Sequence, residues 1–556
     1  MLNRFLIAAA FCWASHTAFA ASPLPDAENV SAFTEQLLRQ HVSDQSGPGL
    51  AVLVARGDEL LFNNAFGLAN IELGVLLQPE HKFRIGSVTK QVAAVALLHL
   101  VDEGKANLQD PLSKYLPDYP NGDAITLQHL LNHTSGIKSY TSIPGYMHND
   151  IRRELTTDEL IAVFKNLPVD FLPGTEFRYN NSGYVLVGAV IEAISGKSWH
   201  QYIADALLKP NQLNNMLYPA ERLLLAGMVS GYSLSPGQPI KLAAQLSMTQ
   251  PHAAGALVAD TLALWHWNRL LHGNKLLKEA TYQQMITPSG AAANNQGNYG
   301  FGIVRGTLRG MPELQHGGGI HGFASLLVYL PDSEISIVML RNSDGPGPDL
   351  HYLSRKIGAF TAGKPYPEYP TVTLTPEQLQ SVSGIYRKGT ESRKLEVRNG
   401  QLFSTRAGGQ PFPVIPQGNN SFGFKDSVSR IVIKRDAAGI ATGLDLFYDG
   451  DGDAEHWLRT SDLTVKPEVS LNEPQQLALV GNYASEQLQL RIFQNSQGDG
   501  LLVQVTGQPA LELKAASPRS LYLTVVDASL DFFPAEGQAQ QVILQQGAGR
   551  FVLTRQ

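Results

Sequence analysis

Three short stretches carry residue types that could do covalent chemistry. The first is Ser87-x-x-Lys90, at the head of an apolar run over residues 88–101. Residues three apart are neighbours on a helix, so a hydroxyl and an amine would share one face at its positive end. The second is Tyr179-x-Asn181, which offers a phenol and an amide just before a helical stretch. The third is His316-x-Gly318, with Gly317 and Gly319 around it, expected at the entrance to a strand. There an imidazole stands beside glycines whose backbone N–H groups can approach a ligand closely. Together these supply a nucleophile, a base, a second proton carrier and backbone donors for an oxyanion, which is what acyl transfer through serine requires. Ser-x-x-Lys alone is weak, because Ser135-x-x-Lys138 matches it too.

The elements that must position these groups are legible from periodicity. Residues 26–42 read as an amphipathic helix, with Val30, Phe33, Leu37, Leu38 and Val42 at helical spacing. Residues 49–55 and 59–63 read as two strands joined at Arg56-Gly57-Asp58. Val88, Val92, Val95, Leu98 and Val101 give the helix after Ser87 one apolar face, with Gly104 beyond its end. Residues 127–137 run from a helix into a polar loop. Further helices are expected at 183–195 and 257–271, the second with Trp265 and Trp267 as packing residues. Strands at 324–330 and 335–340 flank Pro331-Asp332-Ser333. Strands at both ends with helices between predict an α+β domain, one antiparallel sheet covered by helices.

Composition bounds the rest. The 556 residues exceed one core, and 43% apolar with 17% charged residues is ordinary for a folded protein. A net charge of −6 gives no basic footprint, so no nucleic-acid partner is expected. Arg4, the apolar residues 5–14 and Ala18-x-Ala20 predict a secretory signal peptide over 1–20, cleaved after Ala20, and hence a periplasmic or secreted protein. Ten apolar residues are too few to span a bilayer, which takes about 20, and no stable membrane span is expected elsewhere. The single cysteine, Cys12, lies in that segment, so thiol and disulfide chemistry are excluded from the mature chain.

A proline-rich linker, Lys364-Pro365-Tyr366-Pro367-Glu368-Tyr369-Pro370, ends the helical texture. Beyond it come short alternating strands with turns such as Asn399-Gly400, a hairpin signature. The tail repeats: Pro376-Glu-Gln-Leu379 then Gly384-Ile-Tyr386, and Pro474-Gln-Gln-Leu477 then Gly481-Asn-Tyr483. Trp457-Leu458-Arg459 closes one unit and Leu553-Thr554-Arg555 the other. This predicts two small antiparallel barrels, residues 366–463 and 464–556, after a catalytic domain over 21–365. Asp449-Gly-Asp451-Gly-Asp453 begins like a calcium loop, but its twelfth position is Thr460 rather than a glutamate. His316 and His321 have no evident third ligand, so neither metal nor cofactor is expected.

The ordered triple Ser87-x-x-Lys90, Tyr179-x-Asn181 and His316-x-Gly318 resembles that of the penicillin-recognising serine hydrolases. The branch it resembles holds the class C β-lactamases, D-Ala-D-Ala carboxypeptidases, D-aminopeptidases and esterases. The phrases Leu130-Leu-Asn-His-Thr-Ser-Gly136, Pro173 to Tyr184 and Gly317 to Phe323 share the likeness, which covers roughly residues 28–360. The resemblance implies a β-lactamase/transpeptidase-like fold and an acyl-enzyme on Ser87. Lys90 and Tyr179 would share the proton work, Lys90 lowering the phenol pKa by its charge. Asn181, His316, Gly318 and Gly319 would hold the substrate, the N–H groups of Ser87 and Gly319 forming the oxyanion hole. The His in place of the usual Lys of the third motif departs from the β-lactamase form and favours the D-aminopeptidase and esterase members. A catalytic domain followed by two lipocalin-like barrels is similar to the D-aminopeptidase architecture. The implied partner is a small-molecule or peptide substrate, cell-wall fragments and D-amino-acid peptides among them. The alternatives are a β-lactamase or carboxypeptidase, and a β-lactam or cell-wall-ligand binder that does not turn over. The oligomeric state is not legible.

Overall fold

The computed structural model describes residues 24–42, 45–219, 223–293, 297–418, 420–461, 469–485, 488–495, 498–506, 508, 510–523, 528–546 and 549–556. The expected signal segment, with Cys12, lies outside them. The chain divides between Tyr366 and Pro367 into two compact units.

The first unit opens with α1 (Ala27–His41), β1 (Leu50–Arg56) and β2 (Glu59–Phe66). A short strand β3 (Phe83–Arg84) leads through a 3-10 turn, Gly86–Val88, into α2 (Thr89–Asp102). Then come α3 (Leu127–Leu131), α4 (Asn181–Ser195), β4 (Val258–Ala259) and α5 (Thr261–His272). The unit ends with β5 (Val304–Leu308), β6 (Met311–Ile320), β7 (Phe323–Leu330), β8 (Ile335–Arg341) and α6 (Leu350–Thr361). The six-stranded sheet runs β2-β1-β8-β7-β6-β5, so the first and last strands meet at its centre, Leu50 opposite Arg341 and Arg56 opposite Ile335. This is the α+β sheet built from both ends of the domain that the strand pattern implies.

α2 differs from the sequence reading. Not one face but nearly the whole helix is buried, from Thr89 through Leu98, because it is packed on several sides, α4 among its neighbours. A helix apolar all round is a core helix. Val92, Val95, Leu97 and Leu98 are fully buried, each contributing roughly 1.5–3 kcal/mol of burial. Trp267 is a packing residue that donates Nε1–H to Gln91 Oε1 (2.6 Å). The loop after α3 also differs: Asn132, His133, Thr134 and Ser135 are polar but buried. Their groups are absorbed locally, Thr134 Oγ1 donating to Asn132 Oδ1 (2.6 Å) and the His133 and Thr134 carbonyls accepting from Arg178 and Gly174 N–H.

The second unit holds two closed eight-stranded antiparallel barrels, their strands running from Gly384–Lys388 to Ala454–Ser461 and from Gly481–Ala484 to Gly549–Arg555. Closure removes the open edges that short strands would expose. The boundary expected at 463/464 lies outside the described residues. Each barrel is preceded by a helix absent from the sequence reading, Pro376–Val382 and Glu473–Leu479. Seven residues are too few to show periodicity, but Thr375 with Gln378, and Asn472 with Gln475, form capping boxes. The repeated tyrosine and arginine have a shared job. Tyr386 donates to Val382 O (2.7 Å) and Tyr483 to Leu479 O (2.8 Å). Arg459 donates to Ser383 O and Arg555 to Val480 O. Each pair ties the end of its helix to the barrel wall.

Candidate active site

Pairing of β3 with β4, Phe83 opposite Ala259 and Arg84 opposite Val258, holds the chain just before Ser87. The turn then needs Gly86, whose φ is +51°, and a side chain there would also press on Gly319 of β6. Gly318 is constrained from the other side: a Cβ on it would lie 2.0 Å from Ile85 O. These two glycines let β6 run directly against the turn that bears Ser87. A side chain on Gly319 would meet open space.

Lys90, the second residue of α2, is completely buried. Its Nζ lies 3.1 Å from Ser87 Oγ, 2.7 Å from Asn181 Oδ1 and 2.9 Å from Ala254 O. The last two are acceptors only, so they hold two N–H bonds. Ser87, as a hydroxyl, can donate to the third position. Burial without a carboxylate partner pushes the Lys90 pKa well down, which favours the neutral amine.

Asn181 is fixed in turn. Its Nδ2 donates to Thr141 Oγ1 (3.0 Å) and its backbone N–H to Ser139 Oγ (3.3 Å). Asn180 caps α4, accepting from Gly183 N–H (2.9 Å). The Asn180 N–H donates to His133 Nδ1 (3.1 Å). Tyr179 extends from the same cap. Its ring centre is 4.8 Å from Lys90 Nζ, and its hydroxyl lies near the Ser87 side chain. Although 40% of the residue is exposed, its hydroxyl lies at the enclosed end, and desolvation raises the phenol pKa. The expected lowering of the phenol by Lys90 is not what governs Tyr179: desolvation is the largest influence on it and acts upward.

His316 is also corrected. It lies within β6 rather than at its entrance, is buried, and has both ring nitrogens engaged, Nε2 with Tyr299 OH (2.7 Å) and Nδ1 with Gly317 O (2.7 Å). A carbonyl only accepts, so Nδ1 carries the hydrogen and Nε2 accepts from Tyr299. Burial depresses its pKa to about 3. His316 is thus a neutral wall beneath the site and presents no free donor to a substrate. Asn181, Gly318 and Gly319 are placed beside Ser87.

Two residues of this cluster escape sequence reasoning. His133 lies 4.3 Å ring to ring from Tyr179 and 4.5 Å from Tyr299. Its only signal is its place in the polar phrase after α3. Tyr299 has none, since a lone tyrosine before a strand is unremarkable. Ala254 O is a backbone group and has no letter. The second Ser-x-x-Lys is not assembled: Ser135 is buried and Lys138 is paired with Asp170 (3.0 Å). Among the described residues no group of three His, Cys, Asp or Glu is arranged to hold a metal ion, and Asp449 to Asp453 form a turn between strands of the first barrel.

A sheet-and-helix domain with a serine and a buried lysine at the start of one helix and a tyrosine at the start of another has the make-up of a serine acyl-transferring enzyme. Residues 34–361 match the protein family described as Beta-lactamase, more than half of the chain, and the chain belongs to that family. It is similar to the D-stereospecific amidohydrolase from a Streptomyces species, with 30% identity, a TM-score of 0.53, and coverage of 60% of this chain and 98% of that one. The octameric penicillin-binding protein homologue from Pyrococcus abyssi shares the fold at 24% identity, with a TM-score of 0.55 and coverage of 77% and 99%. Protein flp of Staphylococcus aureus is 28% identical over 308 residues, 53% of this chain; the chain spans only 59% of that relative's length.

Proposed function

We propose that this protein is an exported serine hydrolase that cleaves small amide, ester or peptide substrates, D-amino-acid derivatives among them, through an acyl-enzyme on Ser87. The observation that carries the reading is the set of contacts at Lys90 Nζ, two fixed acceptors and the Ser87 hydroxyl. In this mechanism Lys90 takes the Ser87 proton as Oγ attacks the carbonyl carbon. The N–H groups of Ser87 and Gly319 receive the oxyanion. Tyr179, neutral and near the Ser87 side chain, hands a proton to the departing amine or alcohol, and is reprotonated from Lys90. Water then cleaves the acyl ester by the reverse route. Asn181 holds Lys90 and offers its amide to the substrate.

Two features support the choice of substrate. One is the likeness to a D-stereospecific amidohydrolase. The other is the buried neutral His316, which supplies no cation for a substrate carboxylate at that position. The test is a panel of D- and L-aminoacyl p-nitroanilides, p-nitrophenyl esters and a chromogenic cephalosporin, run on the purified protein and on Ser87→Ala. Turnover of D-aminoacyl amides and esters that vanishes in Ser87→Ala is expected. Stoichiometric cephalosporin acylation without turnover of any substrate would replace the reading with that of a β-lactam binder. Export follows from the segment 1–20 alone, and a mature protein that retains it would remove that part.

A further inference from the structure

The two barrels share one framework, which makes their differences informative. Tyr386 pairs with Arg393 across the first hairpin, and Tyr483 pairs with Leu490 at the same place in the second. One strand further on, Arg393 stands opposite Arg406 and Leu490 opposite Val505. Leu395 faces Ser404 where Ile492 faces Val503. Tyr386 meets Arg459 as Tyr483 meets Arg555, which aligns Trp457 with Leu553 and Glu455 with Phe551. In the second barrel the five matching positions Leu490, Val503, Val505, Phe551 and Leu553 all belong to one apolar core. In the first they are Arg393, Ser404, Arg406, Glu455 and Trp457. The barrel closes equally well without them, so closure is not what the polar set is for.

The charges of the first set do not cancel. Lys388 pairs with Glu455 (2.5 Å) and Arg406 with Glu391 (2.8 Å). Arg393 is left over. It is nine-tenths buried, its Nη1 donates to Ser404 Oγ (2.8 Å), and its Nε is buried with no partner. Among the described residues no carboxylate oxygen lies within 4.0 Å of it. Its guanidinium lies 5.4 Å from the Trp457 ring centre, with Lys388 Nζ 5.8 Å from the same ring. Lys388 and Glu391, opposite one another at the end of the hairpin, form the layer above it. A buried guanidinium cannot shed its proton, and without an anion it is a standing cost.

We propose that the mouth of the first barrel is a binding site for a small organic carboxylate, with Arg393 as its anchor. Glu455 and Glu391 both act on the charge of Arg393, but Lys388, Arg393 and Arg406 against these two carboxylates leave one net positive charge, which calls for a monoanion. A guanidinium offers a carboxylate two parallel N–H bonds. An eight-stranded barrel has room for side chains and at most one small ligand. This site does not depend on the chemistry at Ser87.

The test is calorimetric titration of benzoate into the full-length protein, with the Trp457 indole N–H followed by NMR. One saturable site is expected, with a shift of that signal and the same affinity in Ser87→Ala. Arg393→Leu, which copies the second barrel, should weaken binding by about tenfold or more, the scale of a charged hydrogen bond. Arg393→Lys keeps the charge but not the fork, and should weaken it less. If Arg393→Leu does not fold, the Lys variant and the indole shift decide. Unchanged affinity in both Arg393 variants, or loss of binding in Ser87→Ala, would overturn the proposal. Inorganic phosphate binding more tightly than benzoate at the same site would overturn the carboxylate assignment.

Discussion

Lys90 in the first unit and Arg393 in the second are both cations buried without a carboxylate, and the fold uses them in opposite ways. Lys90 can release its proton. Burial pushes it toward the neutral amine, and acceptors from Asn181 and Ala254 leave its lone pair for Ser87. Burial there favours the form that can accept a proton. Arg393 cannot release its proton at any ordinary pH, so burial leaves a charge in search of an anion. The lesson is that burial alone does not define a cation's role; the acidity of the group and the neighbours it is given do.

Exchanging the two kinds of cation breaks the comparison most severely. Lys90→Arg retains charge and hydrogen-bond donors but has no lone pair, and kcat/KM for a p-nitrophenyl ester should fall by about a thousandfold or more, within the range of a lost general base. Activity within tenfold of the parent would show that the base is elsewhere. Tyr179→Phe should cost less, roughly a hundredfold, and more for amides than for activated esters, because only the amine leaving group needs a proton. Equal losses for both substrates would remove Tyr179 from leaving-group protonation.

The smallest effect concerns stability. The folded-state pKa of Lys90 lies below 10.5, so between that lowered value and 10.5 the unfolded chain holds a proton the folded one lacks. Stability from this site therefore rises with pH through that window. Lys90→Met should make the protein more stable than its parent at pH 7, by about 1–2 kcal/mol, and the gap should narrow by pH 10. Urea melts at the two pH values measure it, and a gap independent of pH would contradict a neutral Lys90.

Much of this molecule is legible in one dimension. The spacing of Ser87 and Lys90 is a local property of a helix start, and the strands that flank the first domain carry their own apolar pattern. The barrels were readable because Tyr386 and Tyr483 recur in the same short phrases, and because Asn399-Gly400 marks a tight hairpin. The helices before each barrel were missed because seven residues carry no period, although Thr375-Pro376 and Asn472 with Pro474 are start signals in hindsight. The polar letters of 132–135 mark a loop but not its burial; packing encloses it, with the Arg178 and Gly174 N–H groups meeting its carbonyls and His133 Nε2 left without a partner.

The sequence by itself determined the spacing of Ser87 and Lys90, the order of the three motifs, the sheet made from both ends of the domain and the doubling of the tail. Each of these depends on neighbours within a few residues or on a repeated phrase. Only the tertiary structure decided the ionisation of Lys90, the retreat of His316 behind Tyr299, the place of His133 and Ala254 O, and the isolation of Arg393. Those are matters of desolvation and of which groups from distant segments come within hydrogen-bond range, and neither is written in the spacing of letters.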